Sequence, residues 1–181
     1  MDESIRLGDK TFVPYLQADV INDAVVRVAD QINFDLSGQK PLFLVVLNGA
    51  FIFAADLLRN IRLECEISCV KFSSYHGTTS TGVVNELIGL KEDIAGRTVV
   101  IIEDIVDSGN TIVKIVDLLK SKHAGDIRIA TLLYKPQAYN KNQHIHYRGL
   151  EIPNDFIVGY GLDYDGLGRN LKDIFVIKSE E

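Results

Sequence analysis

The chain has little of what a disulfide-stapled, membrane-bound or polyanion-binding protein needs. Cysteine occurs twice in 181 residues, at Cys65 and Cys69. If Leu63 to Phe72 is a strand, the two lie about 13 Å apart at ~3.3 Å per residue, too far for a bond. A reducing compartment, and with it the cytoplasm, is the simplest inference. No histidine or further cysteine stands near enough in sequence to complete a zinc site, so both read as packing residues. No apolar run approaches membrane-spanning length. The segment Met1 to Arg6 is charged where a signal peptide would need an apolar core. Surplus positive charge is also missing: 19 lysines and arginines against 25 aspartates and glutamates leave a net charge of −6. That balance argues against nucleic acid or an anionic membrane as a partner for the whole surface. With no linker, repeat or low-complexity block, residues 1–181 read as a single domain with ample hydrophobic residues for a core.

What is present concentrates in the stretch from Arg97 to Ser121. The β-branched run Val99-Val100-Ile101-Ile102 ends in two adjacent carboxylates, Glu103 and Asp104. Ile105-Val106 and the loop Asp107-Ser108-Gly109-Asn110-Thr111 follow. A helix then begins, with Ile112, Ile115, Val116 and Leu119 at the spacing of one buried stripe. An unbroken apolar strand suits a parallel sheet covered on both faces, and ligands of such sheets gather beyond the carboxyl ends of the strands. Amides at a helix start lack intrahelical partners and carry partial positive charge, so Ser108 to Thr111 can cradle a phosphate. Gly109 permits close backbone approach, and the hydroxyls of Ser108 and Thr111 add donors. No Gly-Lys-Ser/Thr follows a first glycine, so this is not a Walker A loop. Glu103 and Asp104 suit the diol of a sugar, with a hard cation such as Mg²⁺ between them and a phosphate. Asp107 is free to exchange a proton with a base held above the sugar. Taken singly, Asp107 or Asn110 is also an ordinary helix cap, and Glu103-Asp104 an ordinary solvated strand end.

Other elements surround this one. Asp19 reads as the cap of a first helix whose apolar face is Val20, Ile21, Ala24, Val25, Val28, Ala29 and Ile32. Leu42 to Leu47 is a second buried strand. Asn48-Gly49 turns it into a helix around Phe51, Ala54, Ala55 and Leu58, and is either a simple turn or a second anion site for pyrophosphate. Leu63, Cys65, Ile67 and Cys69 alternate as a half-buried strand does. Residues 73–83 bury almost nothing, which fits either a mobile active-site lid or a flexible tip, and Val83 to Ile88 returns to close a long hairpin. His76 in that loop reads as solvent-exposed. Ile127 to Tyr134 is a strand that delivers Lys135 at its end, either as an exposed charge or as a donor to a ring carbonyl. Gln137 to Arg148 reads as polar and irregular, with His144 and His146 on its surface. Phe156 to Tyr160 is a strand, followed by a loop whose acids suit a cation and whose Arg169 suits phosphate oxygens. Ile174 to Ile177 closes the sheet.

The order apolar residues, Glu103-Asp104, two apolar residues, then Asp107-Ser108-Gly109-Asn110-Thr111 resembles the phosphoribosyl-pyrophosphate signature of the type I phosphoribosyltransferases. From about Leu42 to Ile177 the chain is similar to their hypoxanthine-guanine branch. Ser74-Tyr75, Ser80-Thr81-Gly82, Lys135, Glu151-Ile152-Pro153 and Phe156-Ile157-Val158-Gly159-Tyr160 with Asp163 and Arg169 carry the likeness. The resemblance implies an α/β fold, a mainly parallel twisted sheet with helices on both faces, a small hood and a hairpin lid. It implies transfer of phosphoribosyl from phosphoribosyl pyrophosphate to hypoxanthine or guanine. Asp107 would exchange a proton with purine N7, while Glu103 and Asp104 hold the ribose hydroxyls, directly or through Mg²⁺. Ser108, Gly109, Asn110 and Thr111 would bind the 5′-phosphate. Lys135, Phe156, Ile157 and Asp163 would hold the purine, Asp163 also taking a second Mg²⁺. Asn48, Gly49 and Arg169 would meet pyrophosphate, and Ser74 and Tyr75 would close over the site. A homodimer or homotetramer is implied as well. Two positions depart from the pattern: Asn48 stands where a basic residue is usual, with the family's non-proline cis peptide falling at Leu47-Asn48, and Asn110 stands where lysine is frequent. A xanthine-preferring enzyme and an RNA-binding regulator on the same fold are the alternatives.

Overall fold

The alternation of unbroken apolar strands with amphipathic helices builds a doubly covered sheet. The structure, a computed structural model, describes residues 4–72 and 86–178. In chain order the elements are β1 (Ile5–Leu7), β2 (Lys10–Leu16), α1 (Ala18–Asp35), β3 (Leu42–Leu47), α2 (Phe51–Arg59), β4 (Glu66–Phe72) and β5 (Glu86–Ile88). They continue with β6 (Thr98–Val106), α3 (Asn110–Ser121), β7 (Asp126–Tyr134), β8 (Tyr147–Glu151), β9 (Ile157–Val158) and β10 (Ile174–Ile177). The main sheet runs β5-β4-β3-β6-β7-β8; all its pairs are parallel except the antiparallel β4–β5 edge.

Period-two alternation assigns the two faces. Phe43, Val45, Val100 and Ile102 pack with Ile21, Val25, Val28 and Ile32 of α1 and with Phe53, Ala54 and Leu57 of α2. Leu42, Leu44, Val99 and Ile101 pack on the other side with Ile112, Ile115, Val116 and Leu119 of α3. Thus β3 feeds a helix on one face, and its neighbour β6 feeds a helix on the other. That change of face opens a crevice at the carboxyl ends of β3 and β6, the usual ligand position in open α/β sheets.

A second, antiparallel sheet, β1-β2-β10-β9, joins the two ends of the described chain. Phe12, Val158 and Phe175 form its small core, with Tyr164 and Leu171 packed against them. Ile174 to Ile177 therefore closes this hood and not the main sheet as expected. Its antiparallel partner β2 supplies the matching edge, a pairing between segments far apart in sequence. Phe156 to Tyr160 likewise shortens to Ile157–Val158, because Gly159 turns away at φ 102°.

Other expectations shift by a residue or two. Gln17, not Asp19, is the N-cap of α1, and the free amide of Ala18 donates to Asp173 Oδ1 at 2.7 Å. A distant side chain has taken the capping role. Val20 and Ile67 are exposed although apolar, and α2 buries Phe53, Ala54 and Leu57 while Phe51 faces out. The expected return strand Val83 to Ile88 is described only as Glu86–Ile88. Gln137 to Arg148 is less irregular than its polarity suggests: Ile145 is buried, and Tyr147, fully buried, starts β8. Both cysteines are free thiols packed against the α1–α2 side of the core, and burial raises the Cys65 thiol pKa. No helix among the described residues is long and apolar enough to cross a membrane.

Candidate active site

Strands β3, β6 and β7 are adjacent and parallel, so Asn48, Asp107 and Lys135, each just past a strand end, come to one sheet edge. Register tightens this placement, since Val106 lies opposite Tyr134. Lys135 Nζ reaches Asp107 Oδ2 at 3.2 Å. The lysine side chain is 9% exposed and the aspartate 49%. A buried ammonium requires a partner; here it is the acid that sequence pattern marks for proton exchange.

The helix start beyond Asp107 has the geometry an anion requires. Gly109 takes φ 80° as the N-cap of α3, and the first helical bond runs from Val113 N–H to Gly109 O at 3.1 Å. The amides of Asn110, Thr111 and Ile112 precede that bond and need an outside acceptor. A hollow of about 230 Å³ lies beside them, lined by residues from Glu103 to Ile112. Neither Asp107 nor Asn110 caps α3, so the ordinary reading of those side chains fails.

A second cluster forms between β3 and β6. Gly49 abuts Asp104 so closely that a Cβ on the glycine would fall 1.7 Å from Asp104 Oδ2. Gly161, at φ 100°, backs onto the Gly49 carbonyl from the other side. Arg169 Nη1 donates to Gly161 O at 2.7 Å, and Arg169 Nη2 pairs with Asp163 Oδ1 at 2.6 Å. Tyr160 anchors this loop to α2 by donating its hydroxyl to Asp56 Oδ2 at 2.6 Å. Gly49, Asp104, Asp163 and Arg169, taken from three separate segments, are thereby neighbours. The peptide joining Leu47 to Asn48 is cis, at the position expected.

The electrostatics of the acids are asymmetric. Burial, with Asp104 beside it, drives the Glu103 carboxyl well above the usual range. Burial also raises Asp104 to about 6, opposed by its hydrogen bond from Ile105 N–H and by the charge of Arg169. Among the described residues neither acid is in an ion pair. Two desolvated neighbouring carboxylates hold their charge poorly without a cation.

Residues 15–165 match the phosphoribosyl transferase domain family. The hypoxanthine-guanine phosphoribosyltransferase of Streptococcus pneumoniae is 39% identical over 163 residues, 90% of this chain and 91% of that protein. Its Mycobacterium tuberculosis counterpart is 42% identical over 166 residues, 88% of this chain and 82% of that one. A solved Staphylococcus aureus hypoxanthine phosphoribosyltransferase superposes with a TM-score of 0.85 at 36% identity, over 91% of this chain and 90% of that one. The chain belongs to the hypoxanthine-guanine phosphoribosyltransferase family.

Within that family frame, the structure gathers most of the expected residues but not all. Phe156 sits in the hood, half exposed, with its ring 6.3 Å from Phe12 and 5.9 Å edge-on to Tyr164. Ile157 is buried beside it in β9. Ser74 and Tyr75 lie outside the described residues. His144 and His146 are in ring contact at 4.8 Å, and His146 Nδ1 accepts from Ile129 N–H at 3.2 Å. His146 is thus a half-buried structural acceptor, not a surface residue.

Three neighbours of the site escaped the sequence reading. Gly161 follows the strand Phe156 to Tyr160 with no pattern of its own, yet it braces Gly49. Tyr139 and Lys141 lie over Gly109, where a Cβ would approach Tyr139 Cε2 to 2.5 Å and Lys141 Cγ to 2.9 Å. Their stretch is polar and aperiodic, and no local pattern places it against a loop 30 residues away.

Proposed function

We propose that this chain transfers the 5-phosphoribosyl group of phosphoribosyl pyrophosphate to N9 of hypoxanthine or guanine, giving IMP or GMP and pyrophosphate in purine salvage. The contact of Lys135 with Asp107 carries this reading. O6 and N7 share one edge of a 6-oxopurine. A lysine can donate to O6 while the neighbouring aspartate exchanges a proton with N7. Adenine would turn an amino donor toward the same ammonium, leaving both groups unpaired. Phe156 offers an exposed ring face for stacking, and Ile157 and Asp163 flank the base.

Ser108, Gly109, Asn110 and Thr111 bind the 5′-phosphate through backbone amides and hydroxyls. Asn48, Gly49 and Arg169 face the leaving pyrophosphate. Arg169 spends donors on Gly161 and Asp163 but has further N–H groups for phosphate oxygens. As the bond to the anomeric carbon breaks, positive charge grows on the sugar and negative charge on the leaving group. Glu103 and Asp104 would meet the first charge and Arg169 the second.

The donor chemistry fits Mg²⁺. Glu103 and Asp104 are adjacent oxygen ligands with no ion-pair partner among the described residues, and they would hold one ion at the ribose and pyrophosphate; Asp163 would hold a second. Among the described residues no three acids or imidazoles converge to hold a metal ion, which suits an ion held by one or two carboxylates plus substrate oxygens. Its chemistry would be to neutralise charge on the departing anion. The acidic net charge favours this enzyme over an RNA-binding regulator. Free thiols are consistent with the cytoplasm, and one domain, assembled as a homodimer or homotetramer, completes the proposal.

Steady-state assays with Mg²⁺ and hypoxanthine, guanine, xanthine or adenine test it. Asp107→Asn should lower kcat by about 100-fold. Unchanged turnover in that variant would remove Asp107 from the chemistry, and preference for xanthine would move the chain to the alternative acceptor.

A further inference from the structure

The geometry points to Lys141 as an additional binding residue for the substrate's 5′-phosphate, an assignment that rests on the phosphoribosyl-transfer reading above. The stretch from Glu103 in β6 to Ile112 in α3 contains three acids and no cation. A dianionic phosphate placed beside it would meet amides and hydroxyls but no formal positive charge, since Asn110 is neutral. The two cations described at the site are already engaged, Lys135 with Asp107 at 3.2 Å and Arg169 with Asp163 at 2.6 Å.

Lys141 differs from both. Its Cγ lies 2.9 Å from where a Gly109 Cβ would stand, so the aliphatic stem runs against the glycine at the head of α3. Among the described residues Lys141 forms no ion pair. Lys141 lines the adjoining hollow with Tyr134, Tyr139 and Arg148, and the assignment is that rotation about its side-chain bonds beyond Cγ brings the ammonium to an anion on the amides of Asn110 to Ile112. A flexible stem of this kind delivers a point charge without needing a fixed fork geometry.

The segment bearing Lys141 is held in place. Tyr139 N–H donates to Lys135 O at 3.0 Å, its ring meets Tyr134 edge-on at 5.6 Å, and its hydroxyl donates to the Gln143 carbonyl. The same turn therefore follows the purine-side lysine and covers the phosphate-side glycine. Gly109 must stay a glycine both for its φ of 80° and because Tyr139 and Lys141 occupy the space a side chain would fill.

The test compares IMP with inosine, which lacks only the phosphate, by calorimetry on wild type, Lys141→Gln and Lys141→Arg. Lys141→Gln should weaken IMP binding about tenfold, leave inosine binding unchanged, and lose its deficit as salt rises; Lys141→Arg should retain IMP affinity. Equal IMP affinity in wild type and Lys141→Gln would overturn the assignment. So would equal weakening of IMP and inosine, which marks a structural role. If wild type itself failed to distinguish IMP from inosine, the phosphate-cradle reading would fall first, before any question of Lys141.

Discussion

Replacing Gly49 by alanine isolates the contact on which the proposed pyrophosphate side of the site depends. Gly49 lies outside the left-handed region, so alanine meets no backbone penalty there. The cost is collision alone. A Cβ would stand 1.7 Å from Asp104 Oδ2 and 2.6 Å from its Cγ, against a practical minimum of 3.0 Å, so the carboxylate must retreat by at least about 1.3 Å (3.0 − 1.7). It cannot do so freely, because Oδ1 accepts the Ile105 amide at 2.8 Å. Shifting Gly49 instead is blocked by Gly161, whose own Cβ position is 2.1 Å from the Gly49 carbonyl. A misplacement of this size in a catalytic constellation costs about 100-fold in rate. Gly49→Ala should therefore lower kcat/KM by about that factor while the protein stays folded by circular dichroism. Gly38→Ala is the control: φ is +78° there with nothing within 4 Å, so it should cost about 1 kcal/mol of stability and no activity. If Gly49→Ala kept kcat/KM within about threefold of wild type, Asp104 would not be fixed by this contact and the reasoning would be refuted.

Two further outcomes follow from burial. Asp104 rises from 3.8 to about 6 on folding, so the folded state binds its proton more tightly than the unfolded chain. The associated stability is present below about pH 4 and lost as pH climbs to 6, a penalty of about 3 kcal/mol at most. Asp104→Asn should thus stabilise the ligand-free protein at pH 8 and not at pH 4, in urea melts; a pH-independent difference would contradict the assigned cause. Phe12, fully buried in the hood against Phe156 and Tyr164, should cost about 3–5 kcal/mol when cut to alanine. Its loss should also raise the KM for the base through Phe156; a loss below about 1 kcal/mol would mean the hood is not packed as described.

Legibility differed by element. The run from Val99 to Thr111 could be read directly, because a doubly buried strand, an acidic end and a glycine-led helix each leave a local pattern. Even there the alternation breaks across the acids: Ile102 and Ile105 pack on one side of the sheet, Val106 on the other. Lys135 was readable as a strand end, but its pairing with Asp107 was not. The hood was implied by resemblance, yet residues 174–177 were expected in the wrong sheet, because an antiparallel partner 160 residues upstream leaves no trace in local periodicity. The cap of α1 escaped for the same reason, being supplied by Asp173.

The order of residues alone determined the parallel core, the glycine-led helix start and the acids beside it, since each follows from side-chain period, φ preference and charge over a dozen positions. Tertiary structure alone decided that Gly161 braces Gly49, that Arg169 answers Asp163, and that Tyr139 and Lys141 cover Gly109. Those contacts join segments whose separation in sequence bears no relation to their distance in space, and packing is what sets that distance.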